Sequence, residues 1–387
     1  MSLEIELENF DFEDSSGKKF GEVETPGFTE HQPDIEKIKQ VAEAHDYETL
    51  VVIGNGGSIT SFRAYYYAFR DQIDPRVEIV TTQDPDFLNH LSRTTSKEDT
   101  LVVPISKSGS TTSMLEATLY FLKRDYPLFA VTSDSGPLRE IIETEGYEAI
   151  EHPDVGGRFS GATETALVPA AFAGLDVEEI RKGAEEIYER FQQRNAAWKL
   201  ARVLHNAEES GFQELMVPFY STRLFGFYPL FVQLMHETVC KEGKGQTVYG
   251  DLGPEIQHHT NQRLFGGREN VVPLFFRTEA HEHEKIEVPD ELEGVGWKDR
   301  SLGGLEGKEM GELLDAEYLG VRKELELEQR PFGVVTLEEV SYSAVGKLLA
   351  FLQYLAVYSA ELRGVDPYNQ PEVEKSKELG FKQRFEP

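Results

Sequence analysis

A β-branched apolar run that ends in a burst of hydroxyl side chains most constrains how this chain can fold. Residues 101–105 read Leu-Val-Val-Pro-Ile, and residues 106–112 read Ser-Lys-Ser-Gly-Ser-Thr-Thr. A helical pattern of apolar residues then continues to about residue 123. We therefore predict a buried strand, a tight loop and a helix N-terminus, a corner typical of a mostly parallel α/β sheet.

This corner has the composition of an anion-binding loop. A helix N-terminus presents unpaired backbone N–H groups and the positive end of its dipole. Side-chain donors are added around it by Ser106, Lys107, Ser108, Ser110 and Thr111. A single hydroxyl would be an ordinary helix cap. Four hydroxyls around a lysine instead favour a site for a phosphate monoester.

A second turn follows the strand predicted over residues 49–53. Its sequence, Gly-Asn-Gly-Gly-Ser at 54–58, begins like a dinucleotide fingerprint, but position 59 is Ile where that motif needs glycine. Turns at the carboxyl ends of parallel strands form ligand sites together. We therefore predict that Gly56, Gly57 and Ser58 form one site for a sugar phosphate together with residues 106–112, the hydroxyl loop.

The net charge and the cysteine content limit which binding partners and which cellular compartment we expect. The chain has 39 basic and 69 acidic residues, a formal net charge of −30. This excess argues against nucleic acid and anionic membranes as partners. It resembles a salt-adapted surface, although an ordinary acidic enzyme remains the alternative. The single cysteine, Cys240, and the lack of an export-signal pattern lead us to expect a cytoplasmic protein.

Strand-like and helix-like segments alternate along the chain in two units. Further strands are predicted over residues 77–82, 128–132, 147–152, 214–220, 270–276 and 332–337. Helices are predicted over 60–69, 138–145, 177–206, 231–240 and 342–363. Residues 281–284, His-Glu-His-Glu, suggest a metal site or, more simply, a surface loop, because the sequence places no third ligand beside them.

The segment Asp-Val-Gly-Gly-Arg-Phe-Ser at 154–160 is more specific than either turn. Its paired glycines set a tight backbone before Arg158, a fixed cation near the predicted anion site. Together with the two turns, in this order and spacing, it resembles the phosphoglucose isomerase family of sugar isomerase (SIS) domain proteins. Three later segments resemble the same family: Gln233–Lys241, Gln257-His258 and residues 370–377.

The resemblance implies both an activity and roles for single residues. The activity is the interconversion of glucose 6-phosphate and fructose 6-phosphate, a step of glycolysis and gluconeogenesis, with no cofactor or metal. Glu237 would move a proton between C1 and C2, and Arg158 would stabilise the enediolate. His258, with Lys377, would open the sugar ring, and Gln370 would contact the substrate.

The resemblance also implies an architecture. We expect two doubly wound, flavodoxin-like, three-layer α/β/α domains with mostly parallel sheets. An N-terminal extension (1–30) would precede the first SIS domain (31–190) and the second (191–365), and an arm (366–387) would carry Lys377. A homodimer is expected in which His258 reaches the neighbouring subunit's site.

Two other functions stay open at this point. One is a dual phosphoglucose/phosphomannose isomerase, which activity on mannose 6-phosphate would reveal. The other is a non-catalytic SIS module that senses sugar phosphates, which would need the phosphate loop but not the base, the histidine and the arginine.

Overall fold

The computed structural model describes residues 3–14 and 18–386. The strands are β1 (Leu3–Glu8), β2 (Thr49–Ile53), β3 (Arg76–Val80), β4 (Thr100–Ser106), β5 (Phe129–Thr132), β6 (Glu148–Glu151), β7 (Glu214–Met216), β8 (Phe219–Tyr220), β9 (Thr247–Tyr249), β10 (Val271–Thr278), β11 (Gly296–Trp297), β12 (Arg300–Ser301) and β13 (Phe332–Leu337). The helices are α1 (Ile35–Glu43), α2 (Thr60–Phe69), α3 (Pro85–Thr94), α4 (Thr112–Leu122), α5 (Pro137–Glu145), α6 (Glu164–Phe172), α7 (Val177–Tyr188), α8 (Ala196–Glu209), α9 (Phe227–Val239), α10 (Thr260–Gly266), α11 (Met310–Leu327), α12 (Tyr342–Arg363) and α13 (Glu374–Gln383).

The first sheet has the strand order β3-β2-β4-β5-β6, and its described strands pair in parallel. This is the 2-1-3-4-5 order of flavodoxin-like, doubly wound folds. The order reverses between β2 and β4, so the loops after these two strands flank a crevice at the sheet edge. The two turns singled out in the sequence, 54–58 and 106–112, are those loops. The predicted α/β fold class is confirmed.

The second sheet repeats this plan. Its path is β1-β13-β10-β7-β9, in which β9, β7, β10 and β13 are parallel and again follow the order 2-1-3-4. Strand β1, from the predicted N-terminal extension, pairs antiparallel with β13 and covers that edge. The short strand β8 continues the pairing along β10 beyond β7.

Two predicted elements are each divided in the structure. The helix expected over 177–206 is two helices, α7 and α8, because the Asn195 side chain accepts the Trp198 N–H and caps a new helix there. The strand expected over 214–220 is split into β7 and β8. Pro218 lies between them and has no N–H to donate to the sheet.

Helix α12 is the central helix of the core and packs against α7, α8 and α9. By length and composition alone it could cross a membrane, but 89% of its most apolar 18-residue window is buried inside the protein. Gln353, in the middle of α12, is fully buried. Its Nε2 donates to the Phe159 carbonyl at 3.0 Å, and its Oε1 accepts the Tyr188 hydroxyl at 2.5 Å. This polar residue therefore fastens the core helix to the segment that carries Arg158.

Helices α7 and α12 approach each other through two glycines. A Cβ added to Gly183 would lie 2.0 Å from the Ser343 carbonyl oxygen, and one added to Gly346 would lie 2.0 Å from the Ile180 carbonyl oxygen. Both obstacles are backbone atoms, which cannot move without shifting a helix. The contact between the two helices therefore requires glycine at both positions.

We expect Gly346→Ala to lower the free energy of unfolding by about 1–3 kcal/mol, because the added methyl group forces α7 and α12 apart. Urea denaturation would measure the change. Gly320→Ala is the matched control. Gly320 lies in α11 with nothing within 4 Å of an added Cβ, so alanine there should be neutral or stabilising by about 1 kcal/mol or less. Equal stabilities for G346A and the parent would contradict the prediction.

Candidate active site

The two turns at the edge of the first sheet are joined to each other. The Ser113 hydroxyl, in the first turn of α4, donates to the Asn55 side-chain oxygen at 2.8 Å. Asn55 in turn donates from its amide to the Thr81 carbonyl after β3. Gly56 and Gly109, one in each turn, have positive φ values of 54° and 62°, a conformation that favours glycine. The crevice is thus lined by two fixed loops.

The hydroxyl loop leaves the N-terminus of α4 open to an anion. Thr111 is the N-cap residue, but its side chain accepts no helix N–H. It lies instead 3.1 Å from the Ser106 hydroxyl. The Ser110 backbone N–H and hydroxyl both donate to the Ser108 hydroxyl, at 3.3 and 2.9 Å. The first backbone N–H groups of α4 have no intrahelical acceptor, so the loop presents both main-chain and side-chain donors.

Lys107 connects this loop to the segment before Arg158. Its ammonium group donates to the Asp154 carboxylate at 2.6 Å. This contact holds the pKa of Asp154 below its usual range. The Asp154 side chain is fully exposed and the Lys107 side chain is nearly half exposed. The pair therefore adds little to stability, and the lysine remains accessible at the rim of the crevice.

Gly57 and Gly157 bring the Arg158 segment against the turn at residues 54–58. A Cβ on Gly57 would lie 2.0 Å from the carbonyl carbon of Gly157 and 2.4 Å from the Arg158 backbone nitrogen. The backbones of the two turns are therefore in direct contact, which no other residue type at position 57 allows. This contact requires glycine at position 57, and it places Arg158 at the crevice.

The guanidinium of Arg158 is held from several directions. Its Nε donates to the Thr238 hydroxyl at 2.9 Å, and its Nη1 donates to Gln370 Oε1 at 2.7 Å and to Glu237 Oε2 at 3.4 Å. Its Nη2 donates to the carbonyls of Pro367 and Asn369. Burial lowers the pKa of Arg158, and the charge of Glu237 partly offsets that effect. The side chain is only 3% exposed, so the cation has one fixed orientation.

Glu237 is oriented from its other side by a glutamine. Gln233, one turn earlier on α9, donates to Glu237 Oε1 at 3.1 Å. The Gln233 side-chain oxygen in turn accepts the Thr60 hydroxyl at 2.8 Å, at the start of α2. The Glu237 side chain is 28% exposed. It is thus a positioned carboxylate that solvent or a ligand can still reach.

A buried lysine fixes the C-terminal segment beside this pair. Lys241, just beyond the end of α9, donates to the carbonyl oxygens of Thr238 and Asp366. Burial, and then the nearby charge of Arg158, lower the pKa of Lys241. The lysine thereby holds residue 366 close to the helix that carries Glu237. Residues 367–370 can then supply their carbonyls and the Gln370 side chain to Arg158.

The structure places the remaining predicted residues apart from this pair. His258 is exposed and ends a short 3-10 turn, Glu255–His258, before α10. Lys377 lies on the exposed helix α13, where its Nζ contacts Glu374 at 2.9 Å. Within residues 3–14 and 18–386, neither side chain forms a hydrogen bond or ion pair with Glu237 or Arg158. His281 and His283 lie beside Asp315 and Glu309, at 3.8 and 3.9 Å.

Sequence reasoning named Gln233 and Lys241 only as parts of a motif and gave them no role. Gln233 could have been identified, because a residue four positions before Glu237 on a helix lies on the same face. The role of Lys241 depends on a carbonyl group more than a hundred residues away, and so does the contact of Arg158 with residues 367–370. No local pattern reveals such contacts.

His236, next to Glu237, makes the stability of the folded protein depend on pH. Its Nε2 accepts the Val248 N–H at 3.0 Å, and burial lowers its pKa. Below about pH 6.5 the unfolded chain takes up a proton at this residue, whereas the folded protein keeps it neutral to lower pH. Stability associated with His236 is therefore present at pH 7 and is lost progressively as the pH falls below about 6.5.

We expect His236→Gln to make the fall in unfolding free energy between about pH 7 and pH 5.5 shallower, by up to about 1.4 kcal/mol per pH unit. Urea denaturation at several pH values would measure the slope. His283→Gln is the control, because that side chain is 95% exposed, and its slope should match the parent. A parent-like slope in H236Q would contradict the prediction.

Comparison with known proteins gives relatives along almost the whole chain. No family model matches it. A glucose-6-phosphate isomerase of Thermus thermophilus is 32% identical over 384 residues, which cover 94% of this chain and 89% of the relative. The glucose-6-phosphate isomerase of Rubrobacter xylanophilus is 28% identical over 388 residues, covering 93% of this chain and 88% of the relative.

Solved structures agree with these relatives. A hypothetical protein from Thermus thermophilus superimposes with a TM-score of 0.85 at 30% identity, covering 92% of this chain and 89% of that protein. A glucose-6-phosphate isomerase from Chlamydia trachomatis superimposes with a TM-score of 0.75 and covers 90% of this chain and 71% of that protein. At 24% identity that likeness shows the fold alone. The identity to the Thermus isomerase, over nearly the full length of both chains, shows the family: this chain belongs to the glucose-6-phosphate isomerases.

Proposed function

We propose that this chain interconverts glucose 6-phosphate and fructose 6-phosphate. The observation that carries the proposal is the buried Arg158 guanidinium beside the partly exposed Glu237 carboxylate, next to the turn of Gly56 and Gly57. A base next to a fixed cation suits a reaction that removes a proton from carbon and leaves negative charge on oxygen.

Each step can be assigned to residues of this chain. The hydroxyl loop, with the turn of Gly56, Gly57 and Ser58, would hold the phosphate group through main-chain and side-chain donors. His258 and Lys377 would open the ring by moving a proton from the anomeric hydroxyl to the ring oxygen. Glu237 would carry a proton between C2 and C1 through a cis-enediolate. Arg158 would stabilise the charge that develops on the enediolate oxygens, and Gln370, already bonded to Arg158, would contact the sugar.

The direct test is conversion of fructose 6-phosphate to glucose 6-phosphate, read by a coupled dehydrogenase that tolerates salt. The assay should be run in low and in molar KCl, because a net charge of −30 makes screening of self-repulsion matter. Turnover of fructose 6-phosphate supports the proposal, and a need for salt would support a salt-adapted surface. Comparable activity on mannose 6-phosphate would favour a dual isomerase. Folded protein without turnover would favour a sensing module.

We expect Glu237→Gln to lower turnover by a factor on the order of 10²–10⁴, because it removes a positioned base while keeping the size of the side chain. Glu214→Gln is a matched control. Glu214 is also paired with an arginine, Arg263 at 2.6 Å, and its side chain is 26% exposed. It lies in the second sheet, so its loss should leave turnover nearly unchanged. Near-normal activity of E237Q would refute the assignment of the base.

We further propose a homodimer in which His258 acts in the site of the neighbouring subunit. The exposed position of His258, without a contact to Glu237 in the described part of its own chain, is compatible with this arrangement. A symmetric dimer would then hold two sites, each built from both chains.

Mixing two inactive variants tests this arrangement. E237Q and H258Q subunits, dissociated and reassociated together, should form mixed dimers with one fully intact site each. Roughly a quarter of the parent activity should return when subunits pair at random. If His258 acts within its own chain, every site contains one substitution and no activity returns.

We also propose the division into domains and a cytoplasmic location. The two sheets support SIS domains at 31–190 and 191–365, with an extension at 1–30 that contributes β1 to the second sheet, and an arm at 366–387. Cys240, a free thiol within the described chain, fits a cytoplasmic location.

A further inference from the structure

The position of His258 depends on a backbone turn rather than on contacts of its own side chain. Within residues 3–14 and 18–386, the His258 imidazole forms no hydrogen bond or ion pair. The residue ends the 3-10 turn Glu255–His258, which is anchored inside the protein by the buried Ile256. Whatever fixes this turn therefore fixes the backbone position from which the imidazole projects.

Tyr220 supports the turn at its beginning. This tyrosine ends β8 and is 1% exposed. A Cβ on Gly253 would lie 2.7 Å from Cε1 and Cζ of the Tyr220 ring, so the ring lies flush against the backbone just before the turn. The neighbouring backbone is tied to β8 as well, because Gly253 N–H donates to the Phe219 carbonyl at 2.8 Å.

Tyr220 also supports the turn near its end. Gln257, the residue before His258, donates from Nε2 to the Tyr220 hydroxyl at 2.6 Å and to the Glu317 carbonyl of α11 at 3.2 Å. The turn is thus held at both ends by one buried side chain. Burial raises the pKa of Tyr220 to about 12, so the hydroxyl stays neutral at every pH at which the enzyme would work.

We propose that Tyr220, acting through Gln257, is the positioning residue for His258 and so sets the rate of sugar-ring opening. The inference rests on the proposed function, in which His258 moves the proton between the anomeric hydroxyl and the ring oxygen. It goes beyond that function by naming the residues that hold the turn from which the imidazole projects. A displacement of about 1 Å in a reacting group can cost a factor of about 10² in rate, so a lost hydroxyl at this place should be measurable.

Ring opening can be measured apart from isomerisation. An enzyme that opens the ring of glucose 6-phosphate allows rotation about the C1–C2 bond and closure to the other anomer. No C–H bond breaks in this exchange, so the exchange does not need Glu237 as a base. Exchange between the α and β anomers, followed by magnetisation-transfer NMR, therefore reports on ring opening alone. The exchange should persist in E237Q and be lost in H258Q.

The test variant is Tyr220→Phe, which keeps the ring against Gly253 and removes the hydroxyl. We expect anomer exchange to fall by about 10- to 100-fold. Binding of an open-chain five-carbon aldonic acid phosphate needs no ring opening, and it should stay within about threefold of the parent. That second measurement separates misplacement of His258 from general damage to the site, which would weaken inhibitor binding as well.

Two further variants keep the test decisive. Gln257→Leu removes the donor of the hydrogen bond to the Tyr220 hydroxyl. Because Gln257 is only partly buried, this variant tests the same contact without disturbing the core. It should likewise slow anomer exchange and leave inhibitor binding nearly unchanged. Tyr318→Phe is the control. Tyr318 is likewise buried, its ring centroid is 5.5 Å from that of Tyr220, and its hydroxyl contacts Arg322 instead of the turn. This control should exchange anomers at the parent rate.

The outcomes distinguish failure of the inference from failure of the proposed function. If H258Q loses anomer exchange but folded Y220F and Q257L exchange within twofold of the parent, the positioning role is wrong and the proposed function stands. If H258Q itself exchanges anomers at the parent rate, His258 does not open the ring, and both the inference and that part of the proposed function are overturned.

Discussion

The burial of the Arg158 guanidinium is the constraint on which the rest of the site depends. A buried cation is costly unless its donors are all engaged, and here they reach Thr238, Glu237, Gln370 and two backbone carbonyls at 367 and 369. These partners come from α9 and from the segment after α12, whereas the arginine itself follows the first sheet. One side chain thus joins three parts of the chain, and it does so at the carboxyl edge of the first sheet.

The two sheets share a strand order but contribute differently to this site. In the first sheet, the crevice between β2 and β4 is flanked by the hydroxyl loop and the turn at 54–58. In the second, the corresponding turn after β8 packs onto α2, since a Cβ on Gly226 would lie 2.7 Å from the Arg63 carbonyl oxygen. Helix α9, which follows that turn, carries Glu237 across to the first unit. The second unit therefore supplies the Glu237 side chain beside the first unit's crevice.

The sequence was most informative where the signal is local. The bounds of β2, α2, β13 and α12 match the predicted ranges residue for residue, because β-branched runs and apolar periodicity are properties of neighbouring residues. The break between α7 and α8 was missed although Asn195 is a good cap, because the flanking residues continue a helical pattern. Helix α11 was missed because none of the segments that carry the family resemblance falls within residues 280–330. The family resemblance brought Glu237, Arg158 and Gln370 into one hypothesis, but their contacts are long-range and only the folded chain reveals them.

The division of the proposed chemistry follows the division between interior and surface. Glu237 and Arg158, which would handle charge on the enediolate, hydrogen-bond to each other and to Thr238, Gln233 and Gln370, so they can be preorganised before substrate arrives. His258 and Lys377, which would move protons between oxygen atoms, lie on exposed elements. Their support differs, since the turn of His258 is tied to the buried Tyr220, while helix α13 is joined to α4 by the pairing of Arg384 with Glu116. An exposed imidazole on a rigid turn can serve a neighbouring subunit only if that turn keeps its place, so the proposed shared site makes the support from β8 and α11 part of the catalytic design.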